Sequence, residues 1–266
     1  MSSTMPLIIA VVIAHLLGPA AAVAQTAPPT GRALLQRMHE AYAGRWYRTL
    51  IFTQQTTRTR PDGRDTTATW YESLRYTPAS GTQLRIDTGE PAAGNGVLYT
   101  ADSLWVFRGG KQVTARAGGN ALLPLIEGVY LQPLERTVAE LRPTGIDLSR
   151  PVRTGEWEGR PAWIAGTAHD GDGASPQFWV DTATKAVVRA IFAPAPGAPL
   201  MDAHLGQLVP VRGGWLATRC EFLVSGKTVQ LETYSDWRAD VELSPALFDP
   251  ATWASAPHWA HGAGRP

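Results

Sequence analysis

The first strongly periodic segment of the chain predicts an amphipathic helix over residues 31–43. Apolar side chains recur there at helical spacing, and polar ones occupy the opposite side. The apolar positions are Leu34, Leu35, Met38, Ala41 and Tyr42. Thr30 suits the N-cap position and Gly44 is a natural stop.

After Gly44 the hydrophobic period changes to two, which predicts β-strands. Residues 46–58 and 66–76 form two long strands on either side of a Pro-Asp-Gly turn. Shorter strands follow at residues 83–87, 97–100, 104–108 and 112–115. Because tight polar turns join consecutive strands, the pattern indicates an antiparallel meander.

A helical insert over residues 121–142 interrupts this meander. Leu122, Leu123, Leu125 and Ile126 make a short apolar segment that Pro124 should break. Pro133 suits the first position of a second helix, whose stripe is Leu134, Val138 and Leu141.

The period of two then returns and predicts a second set of strands. These lie at residues 152–157, 162–168, 177–181, 186–192, 208–211, 215–224 and 227–235. Residues 244–248 form a short turn, and residues 254–266 are expected to be a loose tail. Residues 25–253 are therefore interpreted as a single mostly antiparallel β domain.

The first 24 residues are typical of a secretory signal. An apolar run over residues 6–17 precedes the small residues Ala22-Val23-Ala24, which predicts cleavage before Gln25. The alternative is a membrane anchor, but the run is shorter than the ~20 residues of a span. Cys220 is the one cysteine and cannot form an intrachain disulfide. Export without disulfides favours the periplasm.

The charge pattern excludes two classes of partner. Charged residues make up 18% of the chain, the formal net charge is +1, and no basic block occurs. A nucleic-acid partner needs a clustered basic face, and anionic lipid needs a polybasic segment. We therefore expect neither of them.

Candidate catalytic and metal-binding chemistry is weak. No G-x-S-x-G, H-E-x-x-H, P-loop or G-x-G-x-x-G motif is present, and His39, His169 and His204 have no metal-like spacing. Residues 169–173 carry two carboxylates in a Gly-rich loop, but Ser175 and Asp181 stand where a calcium loop needs Gly and Glu. We expect no metal, no cofactor and no catalytic residue, solvent-facing histidines, and a buried, inert Cys220.

Eight of the ten tryptophans fall in or beside predicted strands. They are Trp46, Trp70, Trp105, Trp157, Trp163, Trp179, Trp215 and Trp237. Two interpretations stay open, an ordinary core with cross-strand pairing or the wall of an apolar cavity.

The order of elements resembles that of periplasmic lipoprotein carriers and their relatives, the LolA, LolB and RseB-like proteins. Three stretches between Arg32 and Pro250 carry the likeness. They are residues 34–54, the strand-turn-strand segment 178–189, and the ending 234–250. The resemblance implies an α+β fold, mostly antiparallel, in which a curved incomplete β-barrel has helices across its concave face and acyl chains bind between them. It also implies an arginine that governs release; Arg75 and Arg85 are candidates that the sequence does not decide between.

Strand alternation then predicts which side chains line this apolar cavity. They are Leu50, Phe52, Trp70, Leu74 and Tyr76 on the first two strands, with Leu123 and Ile126 of the insert; Glu72 is a polar intruder on the same face. The expected function is non-catalytic binding of an acyl chain or a lipid-anchored protein in the periplasm. The alternatives are an RseB-like module that senses envelope lipids or binds an envelope protein, and a hydrolase.

Overall fold

A computed structural model describes residues 26–262 except residues 61, 101 and 196. The predicted signal segment lies outside the described residues. The chain begins with helix α1, Gly31–Tyr42, whose N-cap Thr30 accepts a hydrogen bond through Oγ1 from the amide of Ala33 at 3.2 Å. Leu34, Leu35 and Met38 are fully buried, as the apolar stripe predicts.

Thirteen strands follow and lie in one antiparallel sheet. They are β1 Thr49–Thr59, β2 Asp65–Thr77, β3 Gly81–Thr88, β4 Gly96–Tyr99, β5 Ser103–Arg108, β6 Lys111–Ala117, β7 Arg153–Trp157, β8 Arg160–Ala165, β9 Gln177–Asp181, β10 Val187–Phe192, β11 Met201–Val211, β12 Gly214–Val224 and β13 Lys227–Ala239. Strand β11 begins seven residues earlier than the sequence predicts, because Asp202 continues the ladder and pairs through both oxygens with Arg189 on β10, at 2.9 and 2.8 Å.

The strand order is that of two meanders joined along one seam. It runs β6-β5-β4-β3-β2-β1-β13-β12-β11-β10-β9-β8-β7, so β1 pairs with β13 at the centre. The register of the seam sets Gln54 opposite Tyr234 and Thr56 opposite Glu232. The edges are β6 and β7, and the helical insert connects them along the chain.

The insert is more continuous than the sequence predicts. A π-helical segment, Pro124–Gly128, leads directly into the short helix α2, Val129–Leu131, and then α3, Leu134–Leu141. Pro124 was expected to break this segment, but it occupies the first helical position, where its missing N–H costs nothing. Pro133 is the N-cap of α3 and not its first residue.

The sheet curls around these helices. Leu84 on β3 and Trp163 on β8 belong to one buried core together with α1 and the insert. Eight strand steps separate β3 from β8, which is roughly 38 Å in a flat sheet, whereas a helix of α1's length spans about 18 Å. Only a curved sheet joins these side chains in one core. The predicted fold, an incomplete barrel with helices on its concave face, is confirmed.

The chain after β13 covers part of the outer face. Its 3₁₀ turns, Pro245–Phe248 and Pro250–Thr252, and a final helical turn α4, Trp259–Gly262, lie across β2 to β5. A second buried cluster forms there from Leu98, Phe107, Leu247, Phe248 and Trp253.

This ending differs from the loose tail that was expected from residue 254. His258 is buried, and its Nε2 lies 3.0 Å from Oδ2 of Asp87, which also forms a buried ion pair with Arg85. His258 is buried here because the outer face of β3 carries a carboxylate that needs a partner. Residues 263–266 lie outside the described residues.

Candidate functional site

A cleft opens between the helical insert and the second half of the sheet. The space inside it that is available to the centres of water-sized spheres is about 60 Å³, and the void is about 460 Å³ when the open solvent at its mouth is counted. The lining residues are Trp46, Leu122, Ile126, Glu127, Tyr130, Ala186, Val187, Leu205, Leu208, Trp215, Leu216, Ala217, Cys220 and Tyr234. Most of them are aliphatic or aromatic, as is typical of sites for apolar ligands.

Aromatic contacts fix the wall of the cleft that Trp46 and Tyr130 form. Trp46 stacks on Tyr130 with ring centroids 3.8 Å apart and packs edge-on against Tyr42. Trp215 donates a hydrogen bond from Nε1 to the Tyr42 hydroxyl at 2.8 Å, and Tyr130 donates to the carbonyl of Lys185 at 2.9 Å. These contacts tie α1, α2 and the sheet together around the opening.

Glu127 is the one carboxyl group among the residues that line the cleft in the described part of the chain. Tyr47 donates to its Oε1 at 2.7 Å, and the Trp46 indole donates to its Oε2 at 2.8 Å. Burial raises the pKa of Glu127 to about 7, although both hydrogen bonds lower it. The cleft therefore contains a group that changes charge near neutral pH.

Cys220 contributes a buried thiol to the opposite wall. Burial raises its pKa far above the ordinary value, so the reactive thiolate is not populated. The expectation of a buried, inert cysteine on the apolar face of β12 agrees with this placement.

The sequence-predicted lining residues fall beside this cleft, and one of them is in its wall. Ile126 lines the cleft. Leu50, Phe52, Leu74 and Leu123 belong to the core around it. The Phe52 ring lies 4.5 Å from that of Tyr234, which does line the cleft.

Trp70 and Tyr76 are not part of that core. Trp70 is buried, with the Arg58 guanidinium 4.6 Å from its ring centroid, and Tyr76 is half-buried. Whether any of the seven predicted residues contacts a ligand stays a prediction.

The sequence reasoning missed the strands that supply half of the lining residues. Strands β11, β12 and β13 contribute Leu205, Leu216 and Tyr234 among others. A signal for them existed, since the alternation in β12 places Leu216 and Cys220 on one apolar face. What the pattern lacked was the information that this face lies opposite the insert.

The two candidate arginines lie away from the cleft. Arg75 packs over the Phe248 ring at 4.4 Å, and Arg85 is held by Asp87 at 2.8 Å through two hydrogen bonds. Both side chains face the C-terminal segment on the outer side of the sheet. Neither lines the cleft, so a release role for them has no support in this geometry.

A second polar group lies behind the cleft wall. The Tyr234 hydroxyl donates a hydrogen bond to Oε2 of Glu232 at 2.7 Å. Glu72 on β2 is buried near Glu232, so the negative charges of the two carboxylates repel each other. Burial and the neighbouring Glu232 hold the pKa of Glu72 well above its usual range. The intruder on the apolar face is thus one of two buried carboxyl groups.

The Gly-rich loop near residue 170 shows no metal-binding geometry. Asp172 accepts hydrogen bonds from the backbone amides of Ala168, Ala174 and Ser175, and Asp170 pairs with Arg153. Asp172 therefore orders the loop through these backbone hydrogen bonds. Within the described ranges, no three His, Cys, Asp or Glu side chains group as metal ligands would.

Comparison with solved structures gives clear likenesses of fold. A DUF1329 family protein from Desulfovibrio piger matches with a TM-score of 0.59 at 15% identity, over 84% of this chain and 97% of that one. A putative outer membrane lipoprotein-sorting protein domain from Vibrio parahaemolyticus matches with a TM-score of 0.58 at 14% identity, over 84% and 98% of the two chains. At this level of identity the two likenesses show a shared fold, in agreement with the fold that the sequence predicts.

Comparisons of sequence add nothing to this. No protein-family model matches the chain, and no curated protein is significantly similar to it. In the described part of the chain, no helix is long and apolar enough to cross a bilayer.

Proposed function

We propose that the protein is a periplasmic carrier that binds an acyl chain, either of a free lipid or of a lipid-anchored protein, and catalyses no reaction. One observation carries the proposal: an open, mostly apolar cleft lies between the insert and β10 to β13, beside the main core. A sheet and its covering helices normally bury their apolar faces against each other completely. An apolar opening between them is explained by a ligand that enters it.

The fold supports this assignment. The Vibrio parahaemolyticus structure with the same fold is described as an outer membrane lipoprotein-sorting protein domain. The predicted secretory signal would place this chain in the envelope, where lipidated partners occur. Neither Glu127 nor Cys220 has the arrangement of a nucleophile beside a general base.

We further propose that the acyl chain extends past Tyr234 towards the predicted lining residues. Phe52 packs against Tyr234 on the concave face, and Leu50 and Leu74 continue the apolar surface towards the insert. A chain longer than the cleft would displace the Tyr234 ring and lie over these side chains.

The test is binding of monolaurin, whose neutral head group avoids repulsion by Glu127. Tryptophan emission should change on titration, because Trp46 and Trp215 line the cleft. Ile126→Trp and Leu208→Trp fill the cleft from its two walls, and each should weaken binding at least tenfold. Phe52→Asp should abolish it, because an unpaired charge would face hydrocarbon.

The matched control is Val113→Trp, since Val113 is 57% exposed on edge strand β6 and should leave affinity unchanged. Unchanged affinity in folded Ile126→Trp and Leu208→Trp variants would contradict the cleft assignment. Absence of monolaurin binding, together with no lipid extracted from the purified protein, would favour an envelope-sensing or protein-binding module.

A further inference from the structure

A polar cluster lies on the concave face next to the cleft, on three neighbouring strands. Glu72 is on β2, Gln54 on β1 and Glu232 on β13, and β1 is hydrogen-bonded to both other strands. All three share the strand face of the core residues Phe52, Leu74 and Tyr234. Their exposed fractions are 6%, 0% and 6%, so the cluster is buried.

The cluster has more hydrogen-bond acceptors than donors. Glu232 accepts from the Tyr234 hydroxyl at 2.7 Å and from the Gln230 amide. No hydrogen bond among the described residues reaches the Glu72 carboxyl group. The Gln54 amide nitrogen donates to Thr56 at 2.7 Å and reaches Glu232, while its Oε1 has no partner. A buried acceptor without a donor is costly, so the Gln54 Oε1 atom needs an explanation.

The charge of the cluster is also unbalanced. Among the described residues, Arg58 is the cation that acts on Glu232, but its guanidinium lies over the Trp70 ring and its Nε donates to Gln230 at 2.7 Å. The other ionisable groups near the carboxyls are Tyr99, Tyr234 and Cys220, and the next cations outward are Arg116 beside Tyr99 and Arg219 beside Cys220. A cation that entered would favour the charged form of both carboxyl groups.

We infer that Glu72, Gln54 and Glu232 form a subsite for a protonated primary amine carried on an alkyl or acyl chain. An ammonium group supplies three N–H donors and one positive charge, which matches the free Glu72 oxygens, the free Gln54 Oε1 and the net charge of the pair. A carboxylate or phosphate head group would meet repulsion, and a hydroxyl would supply one donor. This inference rests on the proposed function only for the apolar chain that brings the amine to the cluster.

Access to the subsite is through the cleft. Tyr234 lines the cleft with its ring and touches Glu232 with its hydroxyl, so the thickness of one side chain separates the cavity from the carboxyls. A ligand whose chain lies in the cleft can therefore reach the cluster with its end group when Tyr234 turns.

The experiment compares dodecylamine with dodecanol, which has the same chain and a neutral head group, by calorimetric titration at pH 7.5. The natural protein should bind dodecylamine about tenfold more tightly, the ratio expected for one hydrogen bond to a charged group. Glu72→Gln should remove that preference and leave the affinity for dodecanol within about twofold. Glu156→Gln is the matched control, because Glu156 is exposed on edge strand β7.

A second readout distinguishes a binding role from a structural one. Burial and repulsion by Glu232 keep Glu72 protonated, so an arriving ammonium should displace that proton. The binding enthalpy of dodecylamine should then depend on the ionisation enthalpy of the buffer, and this dependence should vanish in Glu72→Gln. Dodecanol should show no such dependence in either protein.

The outcomes separate this inference from the proposed function. Equal affinity for both ligands, with no buffer dependence, would overturn the amine subsite and leave the carrier function standing. If neither ligand binds, butylammonium chloride decides the matter. Its effect on Tm is compared with that of sodium chloride at the same concentration. If butylammonium raises Tm more than sodium does in the natural protein but not in Glu72→Gln, the subsite is supported without the carrier function. No difference in Tm would overturn both.

Discussion

Glu127 illustrates how one residue joins packing to function. Its carboxyl group sits in the wall of the cleft and connects the insert to Trp46 and Tyr47 just after α1. Within the sequence it is an ordinary Glu in a helical segment. Burial makes it a group that is neutral in mildly acidic solution and charged above neutrality.

The stability of the fold should therefore fall as pH rises through the range in which Glu127 ionises. Its pKa is raised from 4.5 to about 7, so the folded state holds a proton that the unfolded chain releases between these values. The stabilisation is complete below pH 4.5 and is lost as pH rises through 7, by about 3 kcal/mol. Urea unfolding of Glu127→Gln between pH 4.5 and 8 should show that much less dependence on pH than the natural protein.

Glu72 and Glu232 contribute to the same trend, because burial raises both pKa values. The contribution of Glu127 is therefore the difference between the pH profiles of Glu127→Gln and the natural protein. Glu156→Gln is the control for the loss of a surface charge. An identical pH profile in Glu127→Gln and the natural protein would show that the folded state does not perturb this carboxyl group.

At the scale of elements, the C-terminal segment is an integral part of the fold. Trp253 stacks on Phe107 with centroids 4.2 Å apart, and the Arg85 guanidinium lies 3.8 Å from its ring centroid. Gly96 permits this approach, since a Cβ there would lie 2.9 Å from the indole and 2.1 Å from the Ile86 carbonyl oxygen. The segment closes an apolar outer face that β4 and β5 would otherwise expose.

Trp253→Ala should consequently lower the free energy of unfolding by about 3–5 kcal/mol, the usual cost of removing a buried aromatic side chain. Val113→Ala is the control, because Val113 is 57% exposed on edge strand β6 and its loss should change stability by no more than about 0.5 kcal/mol. Equal, small effects in the two variants, measured by denaturant unfolding, would mean that the segment does not pack on the outer face in solution.

At the scale of the whole molecule, the seam between β1 and β13 joins the two meanders. It brings residues 50–58 next to residues 230–239, from opposite ends of the chain. The insert between β6 and β7 returns across the concave face. The cleft forms where these two long-range features meet, so it needs the chain from α1 to β13.

The mature protein should start near Gln25, because Ala22-Val23-Ala24 is a suitable cleavage sequence. Intact mass measurement of protein from the periplasmic fraction should show the loss of residues 1–24. The control is the substitution Ala24→Arg, which removes the small residue that cleavage requires and should leave a longer chain in the membrane fraction. A natural protein that retains Met1 would contradict both the cleavage and the periplasmic location.

The sequence by itself determined most of the elements. The Thr30 cap, the stripe in α1 and the alternation in the strands are local patterns, and local patterns select helix or strand. It also identified a mostly antiparallel fold with a helical insert and the apolar character of β12. Polar turns between short strands carry that information within a few residues.

Only the tertiary structure decided where the cleft lies and which polar groups are buried. Strand alternation predicts on which face of its own strand each of Phe52, Glu72 and Leu216 lies. It does not predict which faces of different strands come together in the folded chain. That depends on the β1–β13 seam and on the curl of the sheet, which arise from contacts between residues nearly two hundred positions apart. The same holds for His258, which reads as part of a polar tail until Asp87 on β3 becomes its neighbour.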